Sequence, residues 1–479
     1  MELFRLDASL VAKGIRDREF SAEEYIQQLL ERIERTETKV NAFVSVGGAQ
    51  ALERARQIDR QLRDGEKLGA LAGVAISVKD NICVRGTKTT CASKMLENFV
   101  PPYDATVVSR LVDAGAIVIG KTNLDEFAMG STTEYSRNGA TRNPWDISRV
   151  PGGSSGGSAA SVAALECALS LGSDTGGSVR CPASFCSVVG MKPTYGTVSR
   201  YGLISYANSL EQVGPFGRTV ADVSALLGVI AGRDERDHTT VESGHDHPVS
   251  GWKKLRVGIV KEFTEGADPA VSRIVHASAD KLAEMGCTCE QVSASSAEYA
   301  LASYYTIATA EASSNLARYD NMRYGFEMSP EGYEWNSYFA GARKNFGEEV
   351  KRRIIVGSYV LSSGYYGKYY LKAQKARALL RREFAAIFKQ YDVLIGPTMP
   401  ILPFKFGEKL DDPLKMYLVD VDTVVANLTG MPAISVPAGF SDGLPVGVQL
   451  MGDSFRDNTV LAAASMLEQA AGVQRSPEL

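Results

Sequence analysis

Along most of this chain, segments with the hydrophobic pattern of strands alternate with segments that have the hydrophobic pattern of helices. Short apolar runs rich in valine and isoleucine, at residues 74–78, 116–119 and 255–260, predict buried strands. The sequence Ser21-Ala22-Glu23-Glu24 is a capping box, which predicts an amphipathic helix from there to about Glu37. Further helices are predicted at residues 49–64, 105–114, 220–231, 269–285 and from about 458, and further strands at 187–191, 393–396, 433–436 and 446–451.

This alternation is typical of an α/β protein with a large mixed, mostly parallel sheet covered by helices. Residues 303–389 are mainly helical in pattern and contain aromatic pairs such as Tyr304-Tyr305 and Tyr369-Tyr370. They interrupt the α/β pattern without a clear boundary on either side. We therefore predict a single domain over residues 1–479, with a helical insertion at about 303–389 in the α/β core.

Composition narrows the classes of function. The chain has 479 residues, with 52 Lys and Arg against 56 Asp and Glu, and a net charge of −4. This balance argues against a free-standing nucleic-acid-binding protein, because such proteins are usually basic. The first residues lack the pattern of a signal peptide, and no apolar run approaches the length of a membrane span, so we expect a cytoplasmic location.

The seven cysteines are expected to be free and mostly buried thiols, as is usual in that compartment. Cys287 and Cys289 could bind a metal ion. No further Cys or His at ligand spacing accompanies them, so a strand edge is the better interpretation and no metal site is predicted.

Two glycine-serine loops are the main candidates for chemistry. The first loop is residues 151–158 (PGGSSGGS) and the second loop is residues 172–178 (GSDTGGS). Residues 159–171 between them are small and apolar, which predicts a buried helix and a short strand. Glycines let a backbone approach a ligand closely, and serines supply hydroxyls. Converging hydroxyls and bare amides are what acyl transfer requires.

Three other interpretations of glycine-rich sequence are weaker. Residues 115–122 match the P-loop pattern GxxxxGK[ST], but the four residues between the glycines are themselves an apolar strand, so a nucleotide-binding or scaffolding role has little support.

Residues 152–156 match the nucleophile elbow GxSxG, which needs a preceding strand and a histidine base. Turn-forming residues precede this match. The chain has only His276, in a predicted helix, and His238, His245 and His247, in a polar segment at 233–250 that predicts a surface loop. A flexible Gly/Ser linker is disfavoured because the segment lies between apolar elements.

A serine nucleophile without histidine needs another base. Lys79 ends the apolar run at 74–78, where burial would lower the pKa of its amine and allow it to accept a proton. A lysine at a strand end can equally extend to water, and from position alone that structural role is the more common one.

Several motifs together resemble the amidase signature family over nearly the whole chain. They are Val78-Lys79-Asp80-Asn81, the first loop, Asp174-Thr175-Gly176-Gly177-Ser178-Val179-Arg180, Pro182-Ala183-Ser184-Phe185 and Gly190-Met191-Lys192-Pro193-Thr194. Residues 310–320 (AEASSNLARYD), 349–354 (EVKRRI), 362–366 (SSGYY) and 369–374 (YYLKAQ) resemble the branch of this family that works as the glutaminase subunit of tRNA-dependent amidotransferases.

The resemblance implies a catalytic triad of Lys79, Ser154 and Ser178. Ser178 would attack the side-chain amide of glutamine, and Ser154, which in the family follows a cis peptide bond, would relay a proton to Lys79. The oxyanion hole implied by the resemblance consists of the backbone amides of Thr175, Gly176, Gly177 and Ser178.

The resemblance also implies a clamp for the glutamine backbone. Arg353 would bind the α-carboxylate and Asp420 the α-amine. Asp422 is a second acid in the same segment, and alignment on Asn427-Leu428-Thr429-Gly430 selects Asp420.

The implied assembly is a heterotrimer with no cofactor in this chain. A partner subunit would activate Glu-tRNA(Gln) with ATP and Mg²⁺, bind most of the tRNA and receive the ammonia, and a small third subunit would wrap the other two. The alternative is a stand-alone amidase signature hydrolase of another small amide, for which a carboxylate-binding Arg353 would have no use.

Overall fold

A computed structural model describes residues 1–242, 254–329, 331–408, 412–473 and 476–479. Within them, one sheet of eleven strands runs in the order β1-β3-β2-β4-β6-β5-β10-β11-β9-β7-β8. The strands are β1 (Phe43–Val46), β2 (Ala75–Lys79), β3 (Ile117–Thr122), β4 (Leu169–Asp174), β5 (Val189–Lys192), β6 (Gln212–Gly217), β7 (Arg256–Val260), β8 (Thr288–Val292), β9 (Val393–Pro397), β10 (Ala433–Ser441) and β11 (Leu444–Gly452).

Sixteen helices in the described ranges cover this sheet. They are α1 (Ala8–Arg16), α2 (Ala22–Val40), α3 (Gly48–Arg63), α4 (Thr106–Asp113), α5 (Gly156–Ala163), α6 (Arg180–Cys186), α7 (Val220–Ile230), α8 (Lys261–Glu265), α9 (Pro269–Glu284), α10 (Ala300–Asn315), α11 (Trp335–Arg343), α12 (Glu348–Leu361), α13 (Tyr370–Ile387), α14 (Pro413–Leu418), α15 (Val424–Thr429) and α16 (Asp457–Ala471).

The mixed α/β sheet covered by helices is confirmed, although its pairing is less parallel than the alternation of elements suggested. Of the ten neighbouring pairs in the described sheet, four are parallel and six are antiparallel. The physical reason lies in the connections that lack a helix, because only a crossover returns the chain parallel to the previous strand. The clearest case is β10–β11, a hairpin that turns at Asp442 and Gly443, both with positive φ.

The predicted capping box at Ser21 is present at the start of α2. The Ser21 hydroxyl accepts a hydrogen bond from the Glu24 amide at 3.0 Å, and the Ser21 amide donates to the Glu24 carboxylate at 2.8 Å. These bonds satisfy amides that the first turn of a helix leaves without intrahelical partners. The helix ends at Asn41, which adopts the left-handed conformation with φ 53°.

The helical stretch predicted at 303–389 contains α10 to α13, and two of these helices pack unusually closely. A Cβ added at Gly357 on α12 would lie 1.9 Å from the carbonyl oxygen of Thr309 on α10, so only glycine permits this approach. The buried face of α12 thereby reaches the site described below. Among the described residues, no helix combines the length and apolar character needed to cross a membrane.

The cysteines and the polar loop have separate outcomes. All seven thiols are free, and six of them are buried. Cys287 precedes β8, an edge strand of the described sheet that contains Cys289, as predicted. His245 and His247 lie outside the described residues, so that part of the predicted loop has no structural description.

Candidate active site

The two glycine-serine loops and Lys79 meet at one edge of the sheet. Lys79 ends β2, and β2 pairs in parallel with β4, in the register Val78 to Leu171. The second loop begins inside β4, and the first loop leads into α5. Parallel strands bring their carboxyl ends to the same edge, where α/β proteins usually place ligands.

Lys79 is buried and is surrounded by serine hydroxyls. Its side chain has 0% exposure, so the alternative in which it extends to water is wrong. Its Nζ lies 2.8 Å from the Ser154 Oγ, 2.7 Å from the Ser155 Oγ and 3.0 Å from the Ser173 Oγ. The peptide bond between Gly153 and Ser154 is cis, as the family resemblance implied. Because the Ser154 Oγ lies within hydrogen-bonding distance of the Lys79 Nζ, a proton can pass directly between them.

The surroundings of Lys79 favour a neutral amine. Burial lowers the pKa of Lys79 to about 7, although the charges of Asp125 and Asp174 act in the opposite direction. Desolvation penalises the ammonium form because no water can solvate the charge. An amine with a pKa near the working pH is suited to accept and return a proton.

Ser178 lies where the second loop meets the solvent. It is 8% exposed, whereas Lys79 and Ser154 are at 0%. The backbone amide of Ser155 donates to the carbonyl oxygen of Ser178 at 3.2 Å, which joins the two loops directly. The structure therefore brings Ser178 against the first loop, and Ser178 is the least buried of the three predicted triad residues.

The predicted oxyanion hole needs one correction. The Gly177 amide donates to the Asp174 carboxylate at 2.8 Å, so it is already occupied within the protein. Among the described residues, the amides of Thr175, Gly176 and Ser178 have no recorded protein acceptor. The difference arises because Asp174 folds back over its own loop, and three of the four predicted donors remain.

The second loop also packs too closely against its neighbours for any residue but glycine. A Cβ at Gly176 would lie 2.4 Å from the Tyr304 hydroxyl, and one at Gly177 would lie 2.4 Å from the Thr423 Oγ. Gly177 has φ +134°, outside the usual range of L-residues. These contacts fix the backbone that presents Ser178.

A buried ion pair holds the same loop. The Arg180 guanidinium contacts the Asp174 carboxylate at 3.1 Å, and both side chains have 0% exposure. Asn427 donates to Asp174 at 2.9 Å and accepts from Arg180 at 2.7 Å. Burial by itself raises the pKa of Asp174, but the Arg180 charge and the hydrogen bonds outweigh it and lower the pKa to about 2.

Replacing Asp174 by alanine should destabilise the fold strongly, by about 3–5 kcal/mol, because Arg180 would be left buried without its partner. Denaturant unfolding would measure the loss. The wild-type pKa is depressed, so the stabilisation is present above the ordinary value of 3.8 and is lost as pH falls toward 2. The gap between wild type and variant should therefore narrow over that range. Glu53→Ala, which breaks the exposed Arg60–Glu53 pair, is the control and should change little. If both variants lowered the free energy of unfolding equally, the stabilising role of the buried Asp174–Arg180 pair would be contradicted.

Arg353 and Asp420 are joined through the same pair of tyrosines. The Asp420 carboxylate accepts from the Tyr305 hydroxyl at 2.7 Å and from the Ser131 hydroxyl at 2.9 Å. The Tyr305 ring stacks on Tyr417 with centroids 3.9 Å apart. The Arg353 guanidinium carbon lies 5.4 Å from the centre of the Tyr305 ring and 5.5 Å from that of Tyr417. A cation and a carboxyl group thus share one aromatic wall.

Arg353 is held in place by its own helix and by Tyr206. Its Nε donates to the Glu349 carboxylate at 2.7 Å, four residues earlier on α12, and its Nη1 donates to the Tyr206 hydroxyl at 2.7 Å. The side chain is 3% exposed. Pre-ordering of this kind lowers the cost of binding a carboxylate.

The structure separates the two acids that the sequence left open. The Thr423 Oγ lies 2.6 Å from the carbonyl oxygen of Gly176 and 3.0 Å from that of Asp420, which places Asp420 beside the second loop. Burial raises the pKa of Asp420 to about 6. The Asp422 Oδ2 is buried and has no hydrogen-bond partner within the described residues. Asp420 is therefore the acid next to Arg353.

The P-loop match at residues 115–122 is part of β3, as its apolar sequence predicted. Lys121 is fully buried and pairs with Asp80 at 3.1 Å. It also donates to the Thr89 hydroxyl at 2.8 Å. This lysine is therefore occupied inside the protein, and a phosphate has no access to it.

The sequence matches the Amidase family model over residues 24–461. The chain belongs to the amidase family.

Two relatives and one solved structure that are similar to this amidase bear the same name. It is 52% identical to the A subunit of the glutamyl-tRNA(Gln) amidotransferase of Nostoc sp. (strain PCC 7120), over 95% of each chain. It is 54% identical to the protein of that name from Cenarchaeum symbiosum, over 93% of this chain and 94% of the relative. The crystal structure of the corresponding Thermotoga maritima protein, which bears the same name, superposes with a TM-score of 0.81 at 41% identity, over 100% of this chain and 98% of that one.

Several residues of the amidase site were not predicted. Ser155 and Ser173 also lie within hydrogen-bonding distance of the Lys79 Nζ, and only Ser154 was singled out. Glu349 precedes Arg353 by one helical turn, a spacing that could have indicated the ion pair. The tyrosines of the wall lie far apart in the sequence, and no local signal identifies them.

Proposed function

We propose that this chain is the glutaminase subunit of a tRNA-dependent amidotransferase and supplies ammonia for converting Glu-tRNA(Gln) to Gln-tRNA(Gln). The observation that carries the proposal is the pairing of Arg353 and Asp420 beside the second loop. A guanidinium suits an α-carboxylate and a carboxylate suits an α-ammonium, so the pair fits the backbone end of free glutamine. The names and high identity of the relatives agree with a role in a glutamyl-tRNA(Gln) amidotransferase.

In the proposed reaction, the Ser178 hydroxyl attacks the side-chain amide carbon of glutamine. Its proton passes to Ser154, whose own proton passes to the neutral amine of Lys79. The amides of Thr175, Gly176 and Ser178 stabilise the oxyanion, and such donors typically contribute about 2.7–4 kcal/mol each. Lys79 returns the proton through Ser154 to the leaving nitrogen, which departs as ammonia. Water then hydrolyses the glutamyl ester of Ser178 by the same proton path, releasing glutamate.

The ammonia would pass to a partner subunit. That subunit would use ATP and Mg²⁺ to activate the glutamyl group on the tRNA and would make most of the tRNA contacts, and a small third subunit would complete a heterotrimer. The net charge of −4 fits a chain that leaves RNA binding to its partner. Since tRNA is charged in the cytoplasm, we expect the chain to work there.

Replacing Arg353 by alanine tests this proposal against a stand-alone amidase. We expect KM for glutamine to rise about 10- to 100-fold, because a charge-assisted contact with the α-carboxylate is lost. Hydrolysis of propionamide, which has no carboxylate, should change little. Steady-state kinetics with both amides would measure the difference.

Arg352→Ala is the matched control, because Arg352 also pairs with Glu349 but is 39% exposed. It should leave KM for glutamine near the wild-type value. If Arg353→Ala lost equal activity on glutamine and on propionamide, Arg353 would not be the group that binds the α-carboxylate, and the stand-alone hydrolase would be favoured.

A further inference from the structure

The end of α12, the start of α13 and the segment between them carry an unusual concentration of exposed apolar side chains. Of the 23 exposed large hydrophobic residues of the described chain, seven lie within residues 355–371. We call this set the hairpin patch, and it consists of Ile355, Val356, Tyr359, Tyr365, Tyr366, Tyr369 and Leu371. Contiguous apolar surface of this kind on a folded chain usually marks an interaction site.

Three rings of the hairpin patch, those of Tyr359, Tyr365 and Tyr369, form one continuous surface. Tyr359 and Tyr365 have centroids 4.3 Å apart, and Tyr365 stacks on Tyr369 at 5.9 Å. Ile355 precedes Tyr359 by four residues on α12, so the two side chains lie on the same face of that helix. The patch therefore spans both helices and the segment between them.

The surroundings of the patch are basic. Residues 350–382 contain nine Lys and Arg and no Asp or Glu, in a chain whose net charge is −4. Of these basic residues, five are exposed, namely Lys368, Lys372, Lys375, Arg381 and Arg382. An apolar centre with a one-sign charged rim requires a partner with an apolar centre and acidic groups around it.

The details favour a protein over RNA as that partner. Stacking of bases needs open ring faces, but Tyr365 is packed against Tyr359 and Tyr369, and the Lys368 Nζ lies 5.5 Å from its ring centre. Ile355, at 69% exposure, and Leu371 add aliphatic surface that gives a polynucleotide little to bind. Tyrosine, by contrast, is enriched at the centres of protein interfaces.

We propose that the hairpin patch is the docking surface for another protein subunit of the amidotransferase, which presents an apolar surface rimmed by Asp and Glu. This inference rests on the proposed function. The patch lies on the exposed face of α12, and Arg353 lies on the buried face of the same helix. A subunit bound there would contact the helix that carries the glutamine clamp.

The test uses the full chain and the two other amidotransferase subunits from the same source, co-expressed as a pair. Biolayer interferometry would measure binding of that pair to wild type and to Ile355→Ser/Tyr359→Ser. We expect the double variant to lose about 30-fold or more in affinity, as for the centre of an interface. Leu10→Ser/Tyr299→Ser, at 50% and 48% exposure elsewhere on the surface, is the matched control and should bind within about threefold of wild type. Unchanged melting temperatures would show that both double variants remain folded.

Charge reversal on this chain tests whether the partner presents an acidic rim. Lys368→Glu/Lys372→Glu should slow association by about tenfold at low salt, whereas Lys13→Glu/Lys39→Glu, with the same change in net charge, should not. If both double variants slowed association equally, only the overall charge of the chain would matter, and the proposed contact between Lys368, Lys372 and an acidic rim of the partner would be wrong.

The outcomes separate the two proposals. If wild type binds the pair and supports glutamine-dependent amidation, but Ile355→Ser/Tyr359→Ser binds equally well, the docking surface is wrong and the proposed function stands. If that variant keeps subunit binding but loses binding to a tRNA(Gln) transcript, the patch is an RNA site and the inference is overturned. If wild type neither binds the pair nor supports amidation, both proposals fail.

Discussion

Replacing Ser178 by alanine should abolish glutamine-dependent amidation by the assembled enzyme and leave ammonia-dependent amidation intact. Ser178 is the proposed nucleophile and the triad member with access to solvent, at 8% exposure. Removing a nucleophile typically lowers turnover by about 10⁴- to 10⁶-fold. The partner's chemistry needs only ammonia, so supplying an ammonium salt should bypass the loss. Formation of Gln-tRNA(Gln) would be measured with each nitrogen source.

Ser158→Ala is the matched control for this experiment. Ser158 is a buried serine of the first loop whose hydroxyl bonds to that of Thr122 at 2.7 Å, and within the described residues it makes no hydrogen bond to Lys79. We expect it to keep both activities. Loss of ammonia-dependent amidation in Ser178→Ala would show that Ser178 is structural.

Replacing Lys79 by methionine should reduce glutaminase activity about 10²- to 10⁴-fold, the range usual for a general base. The same residue sets the expected pH profile of the wild type. Because burial lowers the pKa of Lys79 to about 7, the amine is protonated and inactive below that pH and neutral above it. Activity should therefore rise through about pH 7 to a plateau, as measured by ammonia release at saturating glutamine.

The lowered pKa of Lys79 should also make the free energy of unfolding depend on pH. Between about pH 7 and the ordinary lysine value of 10.5, the unfolded chain binds a proton at Lys79 that the folded chain does not. The free energy of unfolding should therefore increase with pH across that interval, and Lys79→Met should remove this part of the increase.

Lys192 provides a matched control, since burial also lowers its pKa to about 7. Its Nζ donates to the Pro193 carbonyl oxygen at 2.9 Å, and no serine of the site contacts it. Lys192→Met should remove a similar part of the stability increase but keep the pH profile of activity. A normal pH profile in Lys79→Met would mean that another group is the base.

The fold was predictable where local sequence and tertiary packing agree. The capping box of α2 and the apolar runs of β2, β3 and β7 were all found, because their periodicity matches the faces they bury. Strand β6 was missed because Pro215 and two glycines interrupt its sequence, which ordinarily argues against a strand. It forms because β4 and β5 pair with it on both sides. Such pairing between distant segments leaves no local mark in the sequence.

The site was predictable in its reactive groups and less so in its surroundings. The two loops stand out because glycine and serine at such density are uncommon between apolar elements, whereas the role of Lys79 came from the family resemblance. The wall of Tyr305 and Tyr417 could not be found, since aromatic residues on helices usually serve the core. The occupied amide of Gly177 depends on where the Asp174 carboxylate turns, which only coordinates provide.

The tight packing of the glycines has a consequence for directed evolution of this amidase. Gly153 and Gly157, like Gly176 and Gly177, lie so close to neighbouring atoms that a Cβ would approach within 2.3–2.4 Å. A saturation library would score these positions as intolerant as Ser178, although none of their side chains reacts. Fitness alone therefore cannot distinguish chemistry from steric fit here. A search for new amide substrates is better directed at the tyrosine wall, where side chains rather than backbone define the space for the substrate.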